Sequence, residues 1–255
     1  MVVYLEIPSD QTADFDVTAE LIPPNSDDPI ASSTVTLHPV PLTHAPRTEP
    51  LAVNQPEGWE SIPESTISSN QLVQGKVDAP EDCSATFRIA HDDQFFYAEV
   101  TVADDTVVSN IAPNDIRGHW RSDSVEVCID PGASEHTLTC YKLGIFPFDS
   151  AGNVRAARDA DANQGPVEET SPGTKLFSER LPNGYRIRAA IPLADTNIPP
   201  NEDTIGFNII IYDGDKSNAA PGENINQARI AWSPRSGVQG RPEDWGRVRL
   251  TSRLQ

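Results

Sequence analysis

The sequence predicts an all-β protein, an antiparallel two-sheet β-sandwich of jelly-roll-like type. Apolar residues alternate with polar ones over short runs, clusters of turn-forming residues separate the runs, and no segment carries a long apolar stripe at helical spacing. The 23 prolines and 15 glycines fall mostly at the ends of these runs, where a reversal needs a fixed φ or no side chain. At 255 residues and 37% hydrophobic, the chain can bury one substantial core with a small appendage.

The elements follow in order. Residues 1–37 carry strand signals at 2–7, 15–21 and 33–37. Three strands are too few for an independent sandwich, so this stretch reads as the remnant of a preceding β (Ig-like) domain, or alternatively as an extension of the main sandwich. Residues 38–48 begin a Pro-rich tract, His-Pro-Val-Pro-Leu-Thr-His-Ala-Pro, read as an extended linker. Residues 49–255 are then the main module.

Within it, Phe87 and Ile89 alternate with polar neighbours, His-Asp-Asp-Gln turns the chain, and Phe96, Ala98, Val100 and Val102 alternate on the return, which makes a hairpin. Val125, Val127 and Ile129 mark the next strand, and residues 138–148 another, closed by the turn Asp149-Ser-Ala-Gly-Asn. Tyr185, Ile187, Ala189 and Ile191, then Phe207, Ile209 and Ile211, repeat the period of two. Strands at this spacing close most simply as two packed antiparallel sheets.

Charge and motifs exclude several functions. With 38 acidic against 19 basic residues, the net charge of -19 repels phosphate backbones and anionic membrane surfaces. No apolar run is long enough for a membrane-spanning helix. The first residues lack a basic and then apolar leader and read as a strand, as expected for a fragment of a longer polypeptide. Cys83, Cys128 and Cys140 have no metal-ligand spacing; Cys128 and Cys140 could form one disulfide, or all three could be buried thiols. The histidines at 38, 44, 91, 119 and 136 show no paired ligand spacing, and nucleophile-elbow, phosphate-loop and dinucleotide motifs are missing from the sequence. Glycosidases use two carboxylates across a cleft, and no spacing here singles out such a pair. The expectation is a module that is not an enzyme.

Six segments carry a resemblance. Pro50-Leu-Ala-Val leading into Glu57-Gly-Trp, Phe87 to Asp105, Asp123-Ser-Val-Glu-Val-Cys-Ile-Asp-Pro, Gly184-Tyr-Arg-Ile-Arg-Ala-Ala-Ile-Pro followed by Gly206-Phe-Asn-Ile, Arg229-Ile-Ala-Trp-Ser, and Asp244-Trp-Gly-Arg-Val-Arg-Leu together resemble carbohydrate-binding module family 9, in that order and over residues 48–252. The resemblance implies a calcium-stabilised β-sandwich that binds sugar, often at a reducing end, between two tryptophans. Trp120 matches the first, Trp232 is the candidate for the second, and Glu126 matches a carboxylate that hydrogen-bonds sugar hydroxyls. Related sandwiches of DOMON type bind haem, and His119 or His136 could ligate iron, although the only methionine is Met1.

The residue chemistry agrees with a sugar. A pyranose presents C–H faces and a rim of hydroxyls, so its site needs a flat aromatic surface beside ionised or amide groups. Arg121, Lys142, Asn226 and Arg229 are candidate donors, whereas Trp59 and Trp245, each beside a glycine, read as packing residues. In one straight strand Trp120 and Glu126 would stand roughly 20 Å apart. The segment before Asp123 must therefore fold back as a loop, and Glu126, of opposite parity to Val125 and Val127, must face away from the core. For calcium, which takes hard oxygen ligands, the candidate turns are Asp104-Asp105, Asp149 with Asn153, and Asp213-Gly-Asp215. The expected partners are an oligo- or polysaccharide and a catalytic domain in a longer polypeptide, the expected location is extracellular or periplasmic, and the alternative is a spacer sandwich without sugar affinity.

Overall fold

The computed structural model describes residues 14–25, 28–115, 117–133, 140–158, 173–199 and 202–251. The expected strand at 2–7, and His136 with it, lies outside them. The chain divides into two units, residues 1–40 and 41–255. In the first, β1 (Phe15–Leu21) and β2 (Ala31–Leu37) form one antiparallel hairpin, in register from Phe15 opposite Leu37 to Leu21 opposite Ala31.

The second unit is the sandwich. Its strands are β3 (Leu42–Pro46), β4 (Glu64–Ile67), β5 (Leu72–Gly75), β6 (Cys83–His91), β7 (Phe95–Asp104), β8 (Ser124–Asp130), β9 (Tyr141–Phe146), β10 (Arg155–Arg158), β11 (Lys175–Leu181), β12 (Gly184–Pro192), β13 (Thr204–Asp213), β14 (Ala228–Ala231) and β15 (Gly246–Thr251). One sheet runs β11-β12-β7-β6-β4. The other runs β10-β9-β8-β13-β14-β5, with β15 pairing the first half of β13 and β3 pairing β15. The only α-helix among the described residues is the single turn Leu193–Thr196, and no described helix is long and apolar enough to cross a membrane.

Part of the tract read as a linker is built into the sheet. Leu42–Pro46 pairs in parallel with Arg247–Thr251. Proline cannot donate to a ladder but is tolerated at a sheet edge, which is where β3 lies. The ordered module thus begins near Pro41 rather than at 49.

Alternation decides which residues fill the interior. Val125, Val127 and Ile129 of β8 meet Phe87 and Ile89 of β6, Phe96 to Val102 of β7 and Tyr185 to Ile191 of β12 in one buried cluster between the sheets. Its aromatic centre is Phe87, Phe96, Phe207 and Trp232, with Trp232 5.5 Å from Phe87 and 6.0 Å from Phe207 in edge-on contacts. Trp232 is therefore a core residue and offers no stacking surface to a ligand, which corrects its candidacy as second clamp. The outer face of the smaller sheet is covered by Trp59, Ile62 and Tyr97, and Glu99 there sits between Arg88 at 3.0 Å and Arg188 at 2.6 Å. Cys83, Cys128 and Cys140 are buried thiols, none in a disulfide.

Candidate functional site

The outer face of the larger sheet carries a polar row that its inner face lacks. Glu126 on β8 pairs across to Gly144 of β9 and to Ile210 of β13, so its side chain stands among those of Lys142 and Tyr212 on the flanking strands. Lys142 Nζ is 2.7 Å from Glu126 Oε1, and the Tyr212 hydroxyl donates to Oε2 at 2.6 Å. His119 Nε2 lies 3.3 Å from the same oxygen, off hydrogen-bonding alignment. Glu126 has no exposed surface, and Lys142 and His119 have almost none. Burial alone would raise the Glu126 carboxyl. The Lys142 ammonium and the His119 ring overcome it and hold the group well below the usual carboxylate range.

The segment ahead of β8 folds back as the spacing of Trp120 and Glu126 demands. Gly118 takes a left-handed φ of 72°, residues 119–121 form one 3₁₀ turn, and the strand begins at Ser124, whose hydroxyl donates to the His119 carbonyl. His119 turns inward, edge-on to Tyr212 at 5.0 Å, and Trp120 turns outward, edge-on to His119 at 5.6 Å. Of the four tryptophans, Trp120 alone is substantially exposed, at 38%, against 0–6% for the others.

The remaining candidates separate by role. Arg121 makes a bidentate pair with Asp115 at 3.0 Å and donates to the Gly118, Arg117 and Gly222 carbonyls, so it braces the loop instead of facing a ligand. Arg229 lies over the Tyr212 ring at 5.0 Å and donates from Nε to Asn226 Oδ1. Both Arg229 and Asn226 are partly exposed. Tyr212 is not among the sequence candidates, and His119 enters there only as a residue that could ligate iron.

His119 has room because β9 offers glycine opposite it. A Cβ at Gly144 would overlap the ring at Nδ1 and Cγ and approach the His119 Cβ at 2.8 Å, so rotation of the ring cannot relieve the clash. Gly144→Ala is expected to cost about 1–3 kcal/mol by overpacking and to displace the Trp120 turn. Thermal melting and a shifted tryptophan emission would register both, and an unchanged melt would show the slot to be dispensable.

A second cluster lies at one end of the sandwich. Asp104 ends β7, Asp123 precedes β8 and Asp213 ends β13, so both sheets contribute; one oxygen from each lies within 4.8 Å of the others, and all three are buried. Asp82, Asp105 and Asp215 form a more exposed triad by the same criterion. Burial, reinforced by the neighbouring carboxylates, pushes Asp213 up to about 8 and Asp104 up to about 7, the latter against the Thr106 amide; burial does the same to Asp123. The two aspartate turns read separately in the sequence are thus brought together, and Asp82 and Asp123 join them. Such a set of hard, mutually repelling oxygens fits a divalent cation.

Asp149 is different. Its Oδ1 accepts the Ala151 and Asn153 amides and its Oδ2 accepts Arg155 Nε at 2.8 Å. Burial would raise this carboxyl, but these bonds lower it. The carboxylate is already neutralised by Arg155 and Asn153 enters through its backbone, so this pair is a closed turn, which corrects its candidacy as a calcium site.

Fold and site together define a β-sandwich module that carries an exposed tryptophan on a braced turn over a buried polar floor, and an acidic cluster to which both sheets contribute. The chain belongs to the family described as carbohydrate family 9 binding domain-like, whose model matches residues 54–253. Among solved structures it is similar to a carbohydrate-binding module family 9 from Caldicellulosiruptor kristjanssonii in complex with cellotriose, at TM-score 0.59 and 17% identity over 84% of this chain and 95% of that one. A carbohydrate-binding module family 9 from the same organism in complex with glucose gives TM-score 0.55 and 17% identity over 84% of this chain and 96% of that one. A Bacteroides uniformis protein gives 0.53 and 14% over 83% and 99%. A search of curated proteins found no match.

Proposed function

We propose that this chain is a non-catalytic carbohydrate-binding module that holds a glucan- or xylan-type sugar at the Trp120 face. The observation that carries the reading is the exposure of Trp120, at 38%, where the other three tryptophans are buried. An indole held outward by a braced turn gives a pyranose C–H face a stiff surface with little rotamer entropy to lose. Arg229, partly exposed over Tyr212, supplies donors for the hydroxyl rim, and Asn226, whose amide donates to the Asp213 and Ala228 carbonyls and accepts from Arg229 Nε, orients that guanidinium.

Glu126 takes a role different from direct hydroxyl contact. Fully buried and engaged by Lys142 and Tyr212, it fixes the floor on which His119 and then Trp120 rest. The two neighbours from C. kristjanssonii were solved with cellotriose and with glucose, which supports a gluco-configured ligand here. Tethered to a glycoside hydrolase outside the cell or in the periplasm, such a module raises the enzyme's local concentration on its polymer.

Asp104, Asp123 and Asp213 would hold calcium, which supplies the positive charge that three buried carboxylates need and ties β7 to β8 and β13. Calorimetry with glucose, cellobiose, xylobiose and the corresponding alditols tests the sugar reading. Binding of cellobiose but not of its alditol supports a reducing-end grip, equal binding of both moves the grip to internal units, and no heat with any sugar sinks the proposal in favour of a spacer.

A further inference from the structure

Among the described residues, Tyr185 is a buried side chain of the core beside the inner acidic cluster whose polar atom is left over. It has no exposed surface, and its hydroxyl has no hydrogen-bond partner among the described residues. An unpaired hydroxyl in a dry interior costs free energy comparable to a lost hydrogen bond, so its position calls for a ligand.

The register puts it at the cluster. Tyr185 is the second residue of β12 and pairs with Val102, two residues before Asp104 on β7. It belongs to the core between the sheets, so its ring crosses from the sheet of β7 toward the sheet of Asp123 and Asp213. Burial comes first in keeping the phenol protonated, and the Asp123, Asp104 and Asp213 carboxylates act in the same direction. Val108 and Gly214 amides already donate to Asp123, and Thr106 donates to Asp104. The loops thus engage Asp123 and Asp104 through backbone amides, while the phenol is a neutral oxygen that comes from the core.

We propose that the Tyr185 hydroxyl closes the core side of the cation site as a neutral oxygen of the calcium shell, facing the ion or a water bound to it. This rests on the calcium reading above and adds a residue to it. Calcium takes six to eight oxygens and accepts neutral ones beside carboxylates; a fourth carboxylate here would only add repulsion.

The test is Tyr185→Phe, which keeps the ring in the core and deletes the oxygen. Calcium is titrated by calorimetry into the chelator-stripped wild-type and variant chains, and both are melted with and without the ion. The expected result is calcium affinity about tenfold or more lower in the variant, the size of one hydrogen bond to a charged partner, with a calcium-free melt no lower than wild type. Equal calcium affinity in the two chains overturns the Tyr185 assignment and leaves the carboxylate site standing. Absence of calcium binding by the wild type overturns the cation reading, and Tyr185's role with it. Should the variant not fold, terbium loaded into the wild type is the second measurement: emission sensitised through tyrosine is expected, and its absence overturns the assignment.

Discussion

Stripping calcium is expected to lower the melting temperature by roughly 5–16 °C. A ligand held at 100 to 1,000 times its dissociation constant stabilises by about 2.7–4.1 kcal/mol, and each kcal/mol moves the melt of a domain of this size by about 2–4 °C. The effect is large because Asp104, Asp123 and Asp213 are buried within 4.8 Å of one another, and without a cation their repulsion is relieved only by taking up protons. The loss concentrates where the sheets meet, since Asp104 sits on β7 and Asp213 on β13. Calorimetric melts in chelator, then with calcium restored, check this; Asp123→Asn should abolish the gain and Asp149→Asn should leave it intact. Identical melts with and without the ion would rule the site out.

Lys142→Met is expected to destabilise the sandwich by about 3–5 kcal/mol. Removing one partner of a buried pair strands the other charge, and Glu126 has no exposed surface through which water could replace the ammonium. Adding Glu126→Gln to the same chain should recover much of the loss, because the stranded charge disappears. Chemical denaturation of the two variants decides; additive losses would mean that the pair is not coupled. The same carboxylate sets an acid limit. Its folded value is depressed below the ordinary 4.5, so its contribution is complete above the unfolded value. As pH falls through and below 4.5 the unfolded chain takes up a proton that the folded Glu126 refuses, and stability is lost. Melts across that range should show stability falling toward acid, and the slope should be shallower in Glu126→Gln.

Much of this fold is written in period two. Phe87 and Ile89, Val125 to Ile129 and Tyr185 to Ile191 sit on inner faces because alternation leaves them no other face. The same parity, carried one residue further, would have placed Trp232 beside Ile230 in the core and Tyr212 beside Ile210 on the outer face. β3 was hidden because Pro46 and the prolines around the strand read as linker chemistry, and only the partner strand shows that an edge position tolerates Pro46.

The site was legible to a smaller degree. Trp120 and Glu126 stand out by residue type and spacing, but the inward turn of His119 depends on Gly144, twenty-five residues on and across a sheet. Asp104 and Asp213 are ordinary turn acids in one dimension; strand pairing and sheet packing make them neighbours of Asp123. Asp149 looks the same in sequence and is neutralised by Arg155, a contact set by the geometry of its turn.

The central claim is that Trp120 is the sugar-stacking surface, and cellobiose calorimetry on Trp120→Ala tests it most directly. The expected result is loss of the binding heat, with a melt within about 0.5 kcal/mol of wild type because the ring is exposed. Undiminished cellobiose affinity in a well-folded Trp120→Ala chain would contradict the claim and move the ligand face elsewhere on the sandwich.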